Sequence, residues 1–440
     1  METYFDELAG WLPGQAQGGE QVGCWLSAER SDFVRFNRGK VRQAGSVRQQ
    51  TARLQLTAGR RQASSELSLT GHLDDDRAAI AAELAQLRAL VDGLPDDPHI
   101  LVPEAPSRSR VVRPASLPPA AAMVDDVARA AAGHDLVGIL ASGPVFRGFC
   151  SSIGHHHWHE VSSVQLDYSL HRSGDQAVKD SLAGFSWQPD QVSERVARSA
   201  ERLAQLDRAP RQLSPGRYRA FLEPAALAEI VAMLNWGGFS CKALRTRQSP
   251  LSRLAGGEAR LSPLVTLTEQ TDEGLAPAFQ GEGFPRPAAV PLVAAGQMVG
   301  SLVAPRSARE YGLPANGASA SETAESLSMA AGTLPASEAL AALGTGLWVS
   351  NLWYLNFSDR GAGRLTGMTR FATFWVEHGV IVAPAPVMRF DDSLFDLLGG
   401  HLEALTQERD FLPDASTYGE RQTSSVRLPG ALVSGLTLTL

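Results

Sequence analysis

Four of the ten histidines in this 440-residue chain fall within five positions, in the run Gly154-His155-His156-His157-Trp158-His159-Glu160. Imidazole ligates transition metals and titrates near neutrality. In an extended backbone His155 shares a face with His157 and His159. A catalytic zinc needs three ligands locked by surrounding hydrogen bonds, and a glycine-led loop supplies little rigidity. Adventitious metal binding, contact with a peptide or partner, and a true metal site are three separate uses of this run, and its residues do not choose among them. A second group, Lys242, Arg245 and Arg247, lies on a polar connection. Its positive charge suits a peptide carboxylate, or simply solvent. A third candidate is Glu229, a lone acid on an otherwise apolar helix.

The elements that must position these groups follow from periodicity. Residues 22–70 alternate as strands, with Asn37-Arg38-Gly39-Lys40 as a tight turn because Asn and Gly accept positive φ. Asp74–Asp76 start a helix whose Ile80, Leu84, Leu87 and Val91 share a face, and Gly93 ends it. Residues 95–119, rich in Pro and Ser, predict a linker. A helix over 120–132, strands at 136–140 and 161–170, a third strand holding Phe185 and Trp187, and a helix with Val192, Val196, Leu203 and Leu206 on one side make a middle unit. The histidine run is expected as a loop between its first two strands. Arg217, Arg219 and Phe221 then alternate in a strand that runs into a helix at Pro224, with Leu227, Ile230, Val231 and Leu234 on its buried side and Ala228, Glu229 and Met233 on the other. Further on, strands are expected at 299–303, 346–349, 374–381 and 426–440, and a helix over 391–404. Residues 318–335, rich in small side chains, are expected as loop.

Composition narrows the function. A net charge of −7, with 44% hydrophobic and 20% charged residues, is ordinary for a soluble globular protein of two or three domains. The acidic start METYFDELAG lacks the features of a signal peptide, and no stretch offers the roughly 18 to 20 continuous apolar residues of a membrane span. Three scattered cysteines, Cys24, Cys150 and Cys241, fit a reducing compartment, so the cytoplasm is the expected location. Between Arg30 and Arg61 stand nine basic residues and one acid, Asp32. Without an interleaved stacking set or a recognition helix, a nucleic-acid surface is the weaker interpretation; a solvated strand face, or contact with an acidic partner, is the stronger. No P-loop, GxSxG elbow or EF-hand loop occurs, which removes support for nucleotide hydrolysis, serine esterase chemistry and calcium sensing.

The stretch GRYRAFLEPAALAEIVAMLNWG, residues 216–237, resembles the strand and helix of the TldD/PmbA family, known also as modulators of DNA gyrase. Later segments are similar in order: Ser307 to Gly312 followed by Asn316-Gly317, and the paired strands around Glu377-His378-Gly379. In the family's catalytic subunit the helix carries HExxxH, whose histidines hold zinc while the glutamate activates water. Laid on that motif, this chain has Ala228, Glu229 and Met233. The resemblance also implies a third ligand, a cysteine of the C-terminal domain, and no cysteine follows Cys241.

The resemblance therefore implies an α+β protein with an N-terminal unit (1–94), a linker (95–119), a middle unit (120–210) and a large strand-rich C-terminal domain (211–440). It implies a metal-free subunit of the TldE/PmbA type, with no catalytic residue and no cofactor of its own. Zinc is expected on a TldD-like partner subunit, and the two chains, or two copies of this one, enclose an unfolded peptide. His155, His157, His159, Lys242, Arg245 and Arg247 are the expected peptide or partner contacts. Two alternatives stay open: an autonomous homodimeric hydrolase with a relocated metal site, and a peptide-binding or regulatory protein on the same scaffold.

Overall fold

The structure is a computed structural model that describes residues 1–172 and 176–439. Its first part is a sheet built from β1 (Gln21–Asn37), β2 (Lys40–Ala58), β3 (Arg61–Ser68), β4 (Arg108–Arg113), β5 (Asp135–Ser151), β6 (His156–His171) and β7 (Ala177–Gly184). The strand order is β3-β2-β1-β5-β6-β4, and β7 pairs with the remainder of β6. The β1–β2 turn forms where the sequence places it. Arg38 and Gly39 both take positive φ, 53° and 67°, which matches the twist of a two-residue hairpin.

Alternation along these long strands gives the sheet two different faces. Leu26 and Leu54 point to one side, where helices α1 (Glu2–Trp11) and α2 (Leu73–Val91) bury Phe5, Leu8, Ile80 and Leu84 against them. Farther along the same side, α3 (Ala120–Ala130) and α4 (Pro189–Gln205) cover Val34, Leu140 and Leu166. Trp25, Ser27 and Arg147 point to the other side, toward residues of the C-terminal part.

Two expectations change here. The 1–94 and 120–210 units are not separate sheets, because β1 lies between β2 and β5 with both as neighbours. The 95–119 segment is not only a connection. Its residues Arg108–Arg113 form β4, parallel to the start of β6, because the run Arg-Ser-Arg-Val-Val-Arg can pair at a sheet edge as readily as it can stay solvated. Phe185 and Trp187 lie just past the end of β7, where Ser186 bridges to Ser116.

The second sheet contains β8 (Gly216–Leu222), β9 (Leu267–Gln270), β10 (Ala289–Ala294), β11 (Gln297–Met298), β12 (Ser326–Met329), β13 (Gly346–Asp359), β14 (Arg364–Glu377), β15 (Val380–Pro384), β16 (Arg389–Ser393), β17 (Leu402–Pro413) and β18 (Ser425–Leu438). Strands β8, β13, β14, β16 and β18 pair in a closed circuit, because β18 bonds to β8 as well as to β16. Helix α5 (Pro224–Asn235) packs against β13 and β18, with Leu227, Ile230, Val231 and Leu234 in the main core. Strands and helices are thus mixed without regular alternation, the α+β class expected.

Of the helix anticipated over 391–404, residues 394–400 are helical, closing in a π-helical turn at Asp396–Gly400, while β16 takes the residues before them and β17 those from Leu402 on. Leu394, Leu397, Leu398 and Leu402 are all buried in the main core, the first three on that helical turn and Leu402 at the start of β17. The strand anticipated at 299–303 reduces to one bridge, Leu302 to Ser240. Within the small-residue tract, Ser326–Met329 is a buried strand between β9 and β18.

Candidate site at helix α5

Both ends of α5 are fixed. Pro224 occupies the first turn, where its missing N–H costs nothing. The preceding Glu223 receives Trp348 Nε1 at 2.8 Å and Arg202 Nη1 at 3.2 Å. At the far end Gly237 takes φ 75°, and Asn235 exchanges two hydrogen bonds with the backbone of Ala324, at 2.8 and 2.7 Å. A cleft of 480 Å³ opens beside the helix start, lined among others by Arg195, Arg198, Arg202, Glu223, Trp348 and Asp410. Arg195 donates to Asp180 at 2.8 Å and approaches Asp410 at 3.6 Å. The apolar period of α4 does not point to this cleft; the signal for it in the sequence is Arg195, Arg198 and Arg202, which recur at helical spacing on the other side.

The three motif positions do not converge. Ala228 is half-buried, while Met233, expected on the polar side, is 6% exposed and belongs to the core. Glu229 stands toward solvent with enough protein around it to raise its carboxyl above the usual range, an effect the Lys179 ammonium opposes. Alanine has no lone pair to give, and a thioether in apolar packing is a poor partner for a hydrolytic zinc. These residues do not fit the metal. Among the described residues no three His, Cys, Asp or Glu side chains are placed to share an ion.

The histidine run also differs from expectation. His156–Glu160 open strand β6, and the strand period turns His157 and His159 to the face opposite Trp158. Trp158 packs on Phe5 and Phe146 beneath α1. His155, His157 and His159 are 3%, 1% and 1% exposed, so they are interior groups and not surface contacts in this chain. His157 is held through both ring nitrogens, Nε2 by Ser107 Oγ at 2.9 Å and Nδ1 by Ser109 Oγ at 2.7 Å, and it stacks on Phe279. His159 Nε2 donates to Leu275 O at 3.0 Å. Ser151 Oγ lies 2.7 Å from His155 Nδ1. Burial pushes His157 and His159 down to about 4, so both are neutral at pH 7. His156 alone faces outward, 2.9 Å from Asp6.

Lys242, Arg245 and Arg247 are exposed on and just after a short helix, Cys241–Arg245. Arg245 lies over the Tyr311 ring at 6.0 Å. None of the three lines the cleft beside α5.

A closed strand circuit built on a strand-to-helix unit is the architecture of a metallopeptidase-type C-terminal domain: residues 215–440, just over half of the chain, match the PmbA/TldA metallopeptidase C-terminal domain. The protein belongs to the PmbA/TldD metallopeptidase family. TldE from Thermococcus kodakarensis has the same fold, with a TM-score of 0.79 at 14% identity over 99% of this chain and 100% of that one. A candidate modulator of a DNA gyrase from Thermotoga maritima gives 0.77 at 13% identity, covering 100% of both chains. Another, from Bacteroides thetaiotaomicron, gives 0.76 at 15% identity over 100% of this chain and 98% of that chain. No curated protein matches by sequence. Among the described residues no helix is long and apolar enough to cross a membrane.

Proposed function

We propose that this chain is the metal-free subunit of a TldD/TldE-like zinc-dependent peptidase complex that encloses and cleaves unfolded peptides. The observation that supports it is the pairing of an intact α5, anchored at both ends, with side chains at 228 and 233 that cannot ligate. The scaffold is retained where the donors are not, which suits a subunit that shapes a chamber around chemistry done by its partner. The partner is a TldD-like subunit carrying zinc, and the cytoplasm is the proposed setting. Among the described residues His155, His157 and His159 belong to no group of three that could share an ion, which weighs against an autonomous, relocated metal site.

The test is reconstitution. The purified chain alone should leave an unfolded substrate such as casein intact. Mixed with a cognate TldD-type subunit it should form a stable complex whose cleavage is abolished by a chelator and restored by zinc. Peptide hydrolysis by the chain alone, or no binding to any such subunit, overturns the proposal.

A further inference from the structure

The N-terminal half of β2 is an unpaired sheet edge. β1 pairs with β2 along its length, but β3 covers only Thr51–Ala58. The last bond on that side runs from Leu69 N to Gln50 O, 2.9 Å. In an antiparallel strand both backbone groups of a residue point to the same neighbour, and successive residues alternate. Ala44, Ser46 and Arg48 therefore aim N–H and C=O away from β1, as Gln50 does. Among the described residues no backbone bond reaches these three from outside, and residues 40–48 are exposed throughout.

The charge on this edge is predominantly positive. Arg30 and Arg48 are direct cross-strand partners, an arrangement of like charges that disfavours the pair. Neither they nor Arg35, Arg38, Lys40 or Arg42 make an ion pair among the described residues. Two acids lie close, each holding neutral donors: Asp32 accepts from Ser46 Oγ, and Glu29 accepts from Ser31 Oγ and Gln49 Nε2. Alongside, a cleft of 330 Å³ runs over the ribbon, with Phe33, Arg35, Gln43 and Val47 as its floor and Thr417 and Gly419 on the facing loop.

We propose that this edge takes up an extended, acidic segment of another polypeptide as an additional strand. Three outward backbone positions would bond to it in register. Carboxylates at alternate positions would lie against Arg48 and Arg42 and relieve the Arg30–Arg48 repulsion, while the other face of the strand looks into the cleft. The inference stands apart from the peptidase proposal, because it uses neither α5 nor a second subunit of this family. Basic residues on an edge also guard against strand-to-strand aggregation, and the experiment separates the two roles.

Fluorescence anisotropy of the intact chain with a labelled peptide of alternating Glu and Val should show binding that weakens as salt rises. The Lys–Val counterpart, and an acidic peptide interrupted by proline, should not bind. Ser46→Pro removes one outward N–H without touching the β1 ladder, a position where proline is tolerated. It should weaken binding about tenfold, as should Arg48→Glu, whose folding does not depend on a proline. Circular dichroism should be unchanged in both. Absence of acidic-peptide binding at low salt, or equal binding of all three peptides, overturns the proposal. So does affinity that neither variant alters. Self-association of an Arg42→Glu/Arg48→Glu chain that binds no peptide would assign the charges to guarding the edge.

Discussion

Helix α5 and strand β6 divide between them what a metal site requires. The helix has the position and the rigidity: a proline start, a glycine stop, anchors at Glu223 and Asn235, and a cleft at its side. It lacks donors. The strand and the residue before it have donors in abundance, three imidazoles, of which His157 is bonded through both ring nitrogens while His155 Nε2 and His159 Nδ1 have no partner among the described residues; none is open to solvent, and they form no group of three that could share an ion. Ligand chemistry needs donor type and convergent geometry in the same place. Here neither region has both, so residue types that look chemical in β6 serve packing, while a bland helix keeps the site-like surroundings.

Acid should break this contrast most strongly. His157 and His159 have native pKa values of about 4 against an ordinary value near 6.5, so the unfolded chain binds more protons between those limits. Stability is then full above about pH 6.5 and falls as pH drops toward about 4. Each unit of depression is worth about 1.4 kcal/mol, so several kcal/mol are at stake in urea titrations across that range. His159→Leu should reduce the slope.

Ile230→Ala tests the helix as a packing element. Its side chain is fully buried in the main core, and its truncation should cost about 2 to 5 kcal/mol in chemical denaturation. Ser109→Ala removes the partner of His157 Nδ1 and should cost about 1 to 3 kcal/mol, because a buried polar atom is left unpaired. The smallest effect is expected at Glu229→Gln. With its carboxyl raised by surrounding protein and its tip toward solvent, the change should stay within about 0.5 kcal/mol, toward greater stability at pH 7. A large loss there would mean that Glu229 carries structure that its position does not reveal.

Much of the scaffold is visible in the residues alone. The Arg38-Gly39 turn, the faces of α2 and α4, the β8-to-α5 unit and the Glu377-His378-Gly379 turn follow local rules of φ, period and capping, and the structure keeps them. Failures cluster where a residue's neighbours are distant in sequence. Leu394, Leu397 and Leu398 do form a short helical turn, but strands β16 and β17, held by β14 and β18, take the residues on either side of it. Arg108–Arg113 has no turn signal to mark it as a strand; β6 supplies its ladder. The basic cleft beside α5 needs arginines of α4, Glu223 and Asp410 brought together from three elements.

What the amino-acid sequence determined was donor identity: alanine and methionine at 228 and 233, no cysteine after Cys241, a basic β1–β2 ribbon. Those are properties of covalent structure, and no folding changes them. Tertiary structure decided which groups water can reach. The histidines became interior because the strand period of β6 turned them onto Phe279 and Leu275, and the edge of β2 stayed open because β3 stops short of it. Burial is set by partners from elsewhere in the chain, and a local pattern cannot specify them.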